Sequence, residues 1–219
     1  MKKYLHILKL SKLFAGINDD KIEAVLLTLS AVKRSYRRGE YIFRAGEHIS
    51  LVALLLEGGA HIQREDYWGN LSILNRVIKG DVFGEAYAVS DGCALLNNVV
   101  AVEDSTVLFL DFNRIFTAAP SDCKFYPVLI QNFFALLAEK NRMLAQKLGH
   151  MSQRTTREKL LSYLSEQSIK SGSSSFVIPF NRQQLADFLS VDRSAMSNEL
   201  CKMRDEGMLC FNRNRFILK

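Results

Sequence analysis

Apolar and polar positions fall into three regimes along the chain. From Leu13 to Val32 apolar residues recur at helical spacing, with a turn at Gly16 and with Asn18 and Asp19 placed as caps, which predicts a short helical preface. From Ser35 to Phe112 the pattern becomes short runs of Val, Ile, Leu, Phe and Tyr. These runs are broken at Gly39, Gly46, Gly58-Gly59, Gly69-Asn70, Gly80-Asp81, Gly84 and Asp91-Gly92. Turn signals at such intervals predict an antiparallel sandwich or barrel of about eight strands. A helix of that length could not carry so many glycines.

After Pro120 and Pro127 the chain is free of Gly and Pro until Gly149. Here Ile130, Phe134, Leu137, Asn141, Leu144, Leu148 and Met151 are spaced 4, 3, 4, 3, 4, 3, a heptad seam. A helix lying on its own barrel would show a wider stripe of period 3.6, so the strict repeat favours pairing with a second helix. Asn141 fits an a position, where it can meet its twin in a parallel dimer and fix the register. The alternative is a monomeric helix with Asn141 at the edge of the core.

The last third predicts a helix at Arg157 to Gln167, a Ser/Gly-rich loop at Ser171 to Ser175, a short strand at Phe176 to Ile178, two helices and a hairpin. Asn181 with Gln184 forms a capping box for a helix packed through Leu185, Ala186, Phe188 and Leu189. Ser190-Val191 is the turn. Asp192 caps a second helix, Arg193 to Glu206, whose inner face is Met196 and Leu200 and whose stop is Gly207. Small Ala186 lets the two helices approach, as a helix-turn-helix requires. The hairpin Met208 to Leu218, turning at Asn212-Arg213-Asn214, has the form of a wing.

The second helix presents Arg193, Ser194, Ser197, Asn198 and Lys202 outward. Arg can read guanine and Asn adenine bidentately in the major groove, while Ser and Lys suit bases or phosphates. Gln183 in the first helix and Arg213 at the hairpin tip complete the candidate contacts. Against this stands a plain solvated face, since Glu199, Asp205 and Glu206 share the helix.

Composition adds modestly to this. The chain has 219 residues, 48% hydrophobic and 24% charged, enough for two packed domains. Its net charge is +6, and from Ser152 onward 11 Lys and Arg face 7 Asp and Glu, so the excess is concentrated near the helix-turn-helix. Cys93, Cys123, Cys201 and Cys210 form no C-x-x-C pair for zinc, an iron–sulfur cluster or a redox disulfide. Lys9 and Lys12 interrupt the N-terminal apolar stretch, and no apolar run approaches the roughly 18 residues of a membrane span. A cytoplasmic protein with no membrane partner is expected.

The segments RRGEYIFRAGE, DVFGE at Asp81 to Glu85, NNVVAVEDSTVLFL and QQLADFLSVDRSAMSNELCKMRDEGML resemble the Crp/Fnr family of bacterial transcription regulators. That resemblance spans nearly the whole chain. It implies an α+β architecture: an N-terminal antiparallel β-barrel (a double-stranded β-helix of the cyclic-nucleotide-binding type) at 1–126, a long dimerisation helix at 127–151 and a winged helix-turn-helix at 152–219. It also implies a homodimer on a two-fold double-stranded DNA operator, contact with RNA polymerase, and a small-molecule effector.

The departures bear on that effector. In cyclic-nucleotide-binding members a Gly-Glu pair leads a cassette whose Glu holds the ribose, and an Arg followed by Ser or Thr holds the phosphate. Gly84-Glu85 fits the first part, but Leu95 and Leu96 stand where the Arg and its neighbour belong, so the tentative pocket of Gly84, Glu85, Leu95, Leu96 and Asn97 does not suit cyclic AMP. There is no Cys before Cys93 for the family's iron–sulfur cluster, and the Cys and His of its haem members are missing around Gly84-Glu85-Ala86. In the recognition helix, the family's Arg-Glu-x-x-x-Arg set becomes Arg193-Ser194 with Asn198, which implies a different half-site.

No catalytic or metal-binding set is expected. A cupin-like metal enzyme would need clustered His and Glu, whereas His48 and His61 stand alone. A ligand-binding subunit acting on a protein partner would have no use for the terminal winged helix-turn-helix. A constitutive DNA binder with a vestigial barrel stays open.

Overall fold

The computed structural model describes residues 2–65, 67–68, 71–90, 92–117 and 125–219. Gly69-Asn70, Asp91, Pro120 and Cys123 lie outside the described residues. The chain divides into two compact units, Met1–Ala138 and Glu139–Lys219.

In the first unit the preface is two short helices, α1 (Leu5–Leu10) and α2 (Asp19–Thr28). Asn18 stands at the N-cap position of α2, but its side chain makes no cap hydrogen bond. Among the described residues eight strands follow: β1 (Val32–Tyr36), β2 (Tyr41–Phe43), β3 (Val52–Glu57), β4 (Ala60–Glu65), β5 (Leu71–Val77), β6 (Val82–Phe83), β7 (Asn98–Ala101) and β8 (Ser105–Leu110). They form two four-stranded antiparallel sheets, ordered β1-β8-β3-β6 and β2-β7-β4-β5. A short helix, α3 (Glu85–Ala88), follows β6, and another, α4 (Arg114–Thr117), follows β8.

The two faces of β3 and β8 do different work, which explains the apolar runs Val52–Leu56 and Val107–Leu110. Successive strand residues point to opposite sides. Ala53, Leu55, Val107 and Phe109 enter the barrel interior with Phe43, Phe83 and Val99. Val52, Leu54, Leu56, Leu108 and Leu110 turn outward into a second core with Leu13, Phe14, Ile22 and Val25 of the preface region. A strand covered on both faces has no polar side to show.

A single long helix, α5 (Tyr126–Met151), contains both Pro127 and Gly149. Pro127 is tolerated because the first turn has no intrahelical use for its missing N–H. Tyr126, Leu129, Phe133 and Leu136 are buried in the outer core of the first unit, with Phe133 stacked on Phe112 at 4.2 Å between ring centroids.

In the second unit, α6 (Thr156–Ser171) runs four residues beyond the expected Gln167 and ends at Gly172 in the left-handed conformation, φ +63°. It takes in Ser168 and also Ser171, the first residue of the expected Ser/Gly-rich loop. They are accommodated because Ser168 and Ser171 each donate to the Ser173 carbonyl at the helix end. Then come β9 (Ser175–Val177), α7 (Arg182–Leu189), α8 (Arg193–Asp205), β10 (Leu209–Asn212) and β11 (Arg215–Leu218). The strands form one antiparallel sheet in the order β10-β11-β9.

Candidate functional site

The helix-turn-helix is built as its sequence requires. The Gln184 N–H donates to Asn181 Oδ1 and the Asn181 N–H donates to Gln184 Oε1, both at 2.9 Å, closing the capping box of α7. Ser190 ends α7 at φ +52°, a conformation that reverses the chain, and the Val191 N–H donates to the Ala186 carbonyl at 3.0 Å. Asp192 Oδ1 accepts from the Ala195 N–H at 2.7 Å and starts α8. Leu185, Ala186 and Leu189 pack with Met196, Leu200 and Met203 in one core, all six fully buried. Lys159 Nζ on α6 donates to the Leu189 carbonyl at 3.3 Å, which ties the turn to the preceding helix.

With its inner face so anchored, α8 leaves Arg193, Ser194, Asn198 and Lys202 exposed, and Ser197 half-buried. Gln183 is exposed, but its Nε2 donates to Asp187 Oδ1 at 2.8 Å along its own helix. Arg213 occupies the two-residue turn between β10 and β11 at φ +53°, exposed at the tip. Beneath that hairpin the Arg182 guanidinium lies over the Phe211 and Phe216 rings, 4.7 and 5.1 Å from their centroids.

Two polar networks of this unit were missed in the sequence. Arg157, in the first turn of α6, reaches across to α8, its Nε 2.7 Å from Glu199 and its Nη2 2.5 Å from Glu206. His150, near the end of α5, is only 5% exposed, with Nδ1 2.8 Å from Ser162 Oγ and Nε2 2.8 Å from Glu166. Glu166 also pairs with Lys170. Apart from the i,i+4 pair Glu166–Lys170, the partners are 12 to 49 residues apart, too far for any local spacing rule to join them.

The heptad positions divide. Ile130 and Leu137 are partly buried against the outer core of the first unit. Met151 is partly buried, and its Sδ accepts from Ser190 Oγ at 3.9 Å. Phe134, Leu144 and Leu148 are 61, 66 and 68% exposed, and Asn141 is exposed among them.

Of the barrel residues, Gly84 is held at φ +78°, and a Cβ placed there would lie 3.0 Å from both Ile49 Cδ1 and Phe43 Cε2. Glu85 is buried. Leu95 is 5% exposed within the barrel core, fixed by hydrogen bonds from its N–H to the Glu47 carbonyl and from the Gly46 N–H to its own carbonyl, each 2.8 Å. Leu96, where the chain bends, is 66% exposed, so the two leucines do not line one pocket. Asn97 is half-buried with its Oδ1 unpartnered. Phe43 meets Phe83 and Phe109 edge-on, each at 5.8 Å, and no Lys or Arg is found among the buried residues described.

A groove of about 530 Å3 does exist in this unit, along Ser35, Tyr36, Glu40, Glu57, Asp104 and Thr106, and none of the tentative pocket residues lines it. His48 is exposed and His61 half-buried on β4, where burial and the nearby Arg76 hold its imidazole below the usual range. No cluster of three or more metal-binding side chains is present among the described residues.

A two-sheet barrel joined by a long helix to a winged helix-turn-helix is the architecture of a DNA-binding transcription regulator. Residues 33–119 match the cyclic nucleotide-binding domain family and residues 158–219 the Crp-like helix-turn-helix domain family, more than half of the chain between them. The cyclic AMP receptor protein of Thermus thermophilus is 25% identical over 202 residues, 92% of this chain and 89% of that one. Among solved structures, CprK complexed with OCPA aligns with a TM-score of 0.67 at 16% identity, covering 91% of each chain. The catabolite activator protein of Thermus thermophilus aligns with a TM-score of 0.51 at 22% identity, covering 95% of this chain and 94% of that one. The chain belongs to the Crp/Fnr family of transcription regulators.

Proposed function

We propose that the chain acts as a homodimer on a two-fold DNA operator, with its barrel answering to an effector other than cyclic AMP and with RNA polymerase as its downstream partner in the cytoplasm. The observation that carries the DNA reading is the outer face of α8, where Arg193, Ser194, Asn198 and Lys202 stand exposed on a helix whose inner face is fully buried. Arg193 would read guanine, Asn198 adenine, and Lys202 and Arg213 phosphates. Pairing of two copies along Phe134, Asn141, Leu144 and Leu148 would set two recognition helices in successive major grooves, roughly 34 Å apart.

The case against cyclic AMP rests on chemistry. A cyclic phosphate taken out of water needs charge-assisted donors. Leu95 fills the interior at the expected place for the arginine, and Gly84 faces Phe43 and Ile49. An effector would act by binding one arrangement of the dimer more tightly than another. The interdigitated Phe43, Phe83, Phe109 and Leu95 also favour a second reading, a constitutive DNA binder whose barrel is a packed core.

Selection from random duplex DNA tests the first reading. A two-fold symmetric site is expected, and its half-site should change in the Ser194→Glu, Asn198→Arg variant. An unchanged preference would refute the assigned contacts. Adding cyclic AMP to the same assay should leave the affinity where it was, and a nucleotide-dependent rise would overturn the effector assignment.

A further inference from the structure

The recognition helix carries a feature that works against DNA binding. Glu199 and Glu206 are seven residues apart, so they share one flank of α8, next to Lys202 and one residue from Asn198. Phosphates dominate the affinity of such interfaces, and two unneutralised carboxylates beside them would repel the duplex. Lys202 does little to offset them, its Nζ lying 3.9 Å from Glu199.

Arg157 meets both. Its side chain is 35% exposed, and its two faces address different acids, Nε to Glu199 at 2.7 Å and Nη2 to Glu206 at 2.5 Å. Glu199 is the more enclosed, 19% exposed against 48% for Glu206. A guanidinium suits this task because it presents donors along two edges of a rigid plane, whereas a lysine has a single point charge. The two neighbouring carboxylates in turn hold the guanidinium above its ordinary range. Arg157 lies on α6, not on the reading helix, so the same contact fixes α8 to α6 at the helix's middle and at its end.

We infer that Arg157 is a positioning residue of the DNA-reading surface: it neutralises Glu199 and Glu206, and so lets α8 approach the phosphate backbone. This rests on the DNA-binding reading above and goes beyond it, since Arg157 need touch no nucleotide itself.

The test uses the full chain and a labelled random-sequence duplex, with affinity measured over a salt series. Arg157→Ala should bind at least about tenfold more weakly at low salt, and the deficit should shrink as salt screens the exposed carboxylates. Adding Glu199→Gln and Glu206→Gln to the Arg157→Ala chain should restore affinity to within about threefold, because the repulsion is gone although the bridge is not rebuilt. Arg157→Lys should fall between.

A bridge that served only the fold predicts the opposite: the triple variant would stay as weak as Arg157→Ala, and that result overturns the inference. Equal binding by wild type and Arg157→Ala also overturns it while leaving the DNA-binding reading intact. A wild-type chain that shifts no duplex at any salt overturns both.

Discussion

Replacing Leu144 and Leu148 by alanine removes the two most exposed large hydrophobic side chains of α5. In the single chain they are 66 and 68% exposed, so truncating them costs the fold of one protomer little. Their role, on the homodimer proposal, lies across a two-fold seam that brings four such leucines together. Each truncation forfeits about three buried methylene equivalents at ~0.8 kcal/mol apiece, scaled by the two-thirds still open before pairing. For four leucines this comes to on the order of 6 kcal/mol, which weakens the dimer roughly ten-thousandfold or more. Sedimentation over a concentration series reads the effect directly, with far-UV circular dichroism as the control that α5 and the two units stay folded. Wild type should stay dimeric through dilutions at which Leu144→Ala, Leu148→Ala dissociates. If the double variant and wild type dissociate at the same concentration, the seam lies elsewhere and the assignment of this face is wrong. Alanine at Leu137 should instead lower the unfolding midpoint of the first unit, because Leu137 packs against its outer core.

Two further outcomes concern the second unit. Asn181→Ala removes the bond that Asn181 Oδ1 accepts from the Gln184 N–H, while the Asn181 backbone N–H can still donate to Gln184 Oε1, and should cost about 1 kcal/mol of stability, visible as a lower urea midpoint with an unchanged slope. Burial works against the charged form of Glu166, but the Lys170 ammonium and His150 outweigh it and leave the carboxyl below its usual value. A carboxylate depressed in the folded state stabilises fully above its unfolded value of about 4.3 and loses that contribution as the pH falls through its lower folded value. The melting temperature should therefore fall as the pH drops below that point, and Glu166→Gln should lack this component. A wild-type curve that is flat across that range would refute the linkage.

The strands and the helix-turn-helix were legible because local rules govern them. Glycines punctuate β1 to β8, and Asn181, Gln184 and Asp192 occupy the caps that their side chains were expected to fill. Two kinds of information were not local. The heptad from Ile130 to Met151 is a real stripe, yet a period of 3.5 and a period of 3.6 diverge by only about 20° per heptad, so the pattern cannot tell which turns face the protein's own core. Ile130 and Leu137 flank Leu129, Phe133 and Leu136 and are partly covered there, whereas Leu144 and Leu148 are open. Leu95 and Leu96 illustrate the second kind. Aligned to a motif they count as a pair, but the chain bends at Leu96, and only Leu95 reaches the interior.

If two copies pair along α5 as proposed, the contacts at the end of that helix give a change at the seam a route to the reading helix. Leu144 and Leu148 alternate along α5 with Lys147, His150 and Met151, which hold the helix to the rest of the second unit. Lys147 Nζ stands 5.5 Å from the centre of the Phe188 ring on α7, His150 meets Ser162 and Glu166 on α6, and Met151 meets Ser190 in the turn itself. On the homodimer proposal, a rotation of α5 that altered the pairing of Leu148 would be applied, within one turn, to the two helices that carry α8. A rigid joint of this kind transmits displacement because packed side chains exchange between discrete arrangements and do not stretch. His150→Ala should loosen it, leaving Glu166 with Lys170 alone and emptying a site that Tyr163 and Phe188 border at ring distances of 5.7 and 6.3 Å. The expected cost is about 1–3 kcal/mol of local stability, read as faster amide exchange in residues 156–171 while β3 and β8 keep their protection. Exchange unchanged in α6 would mean that His150 does not hold the joint, and that the seam and the reading helix are coupled through Lys147 and Met151 alone.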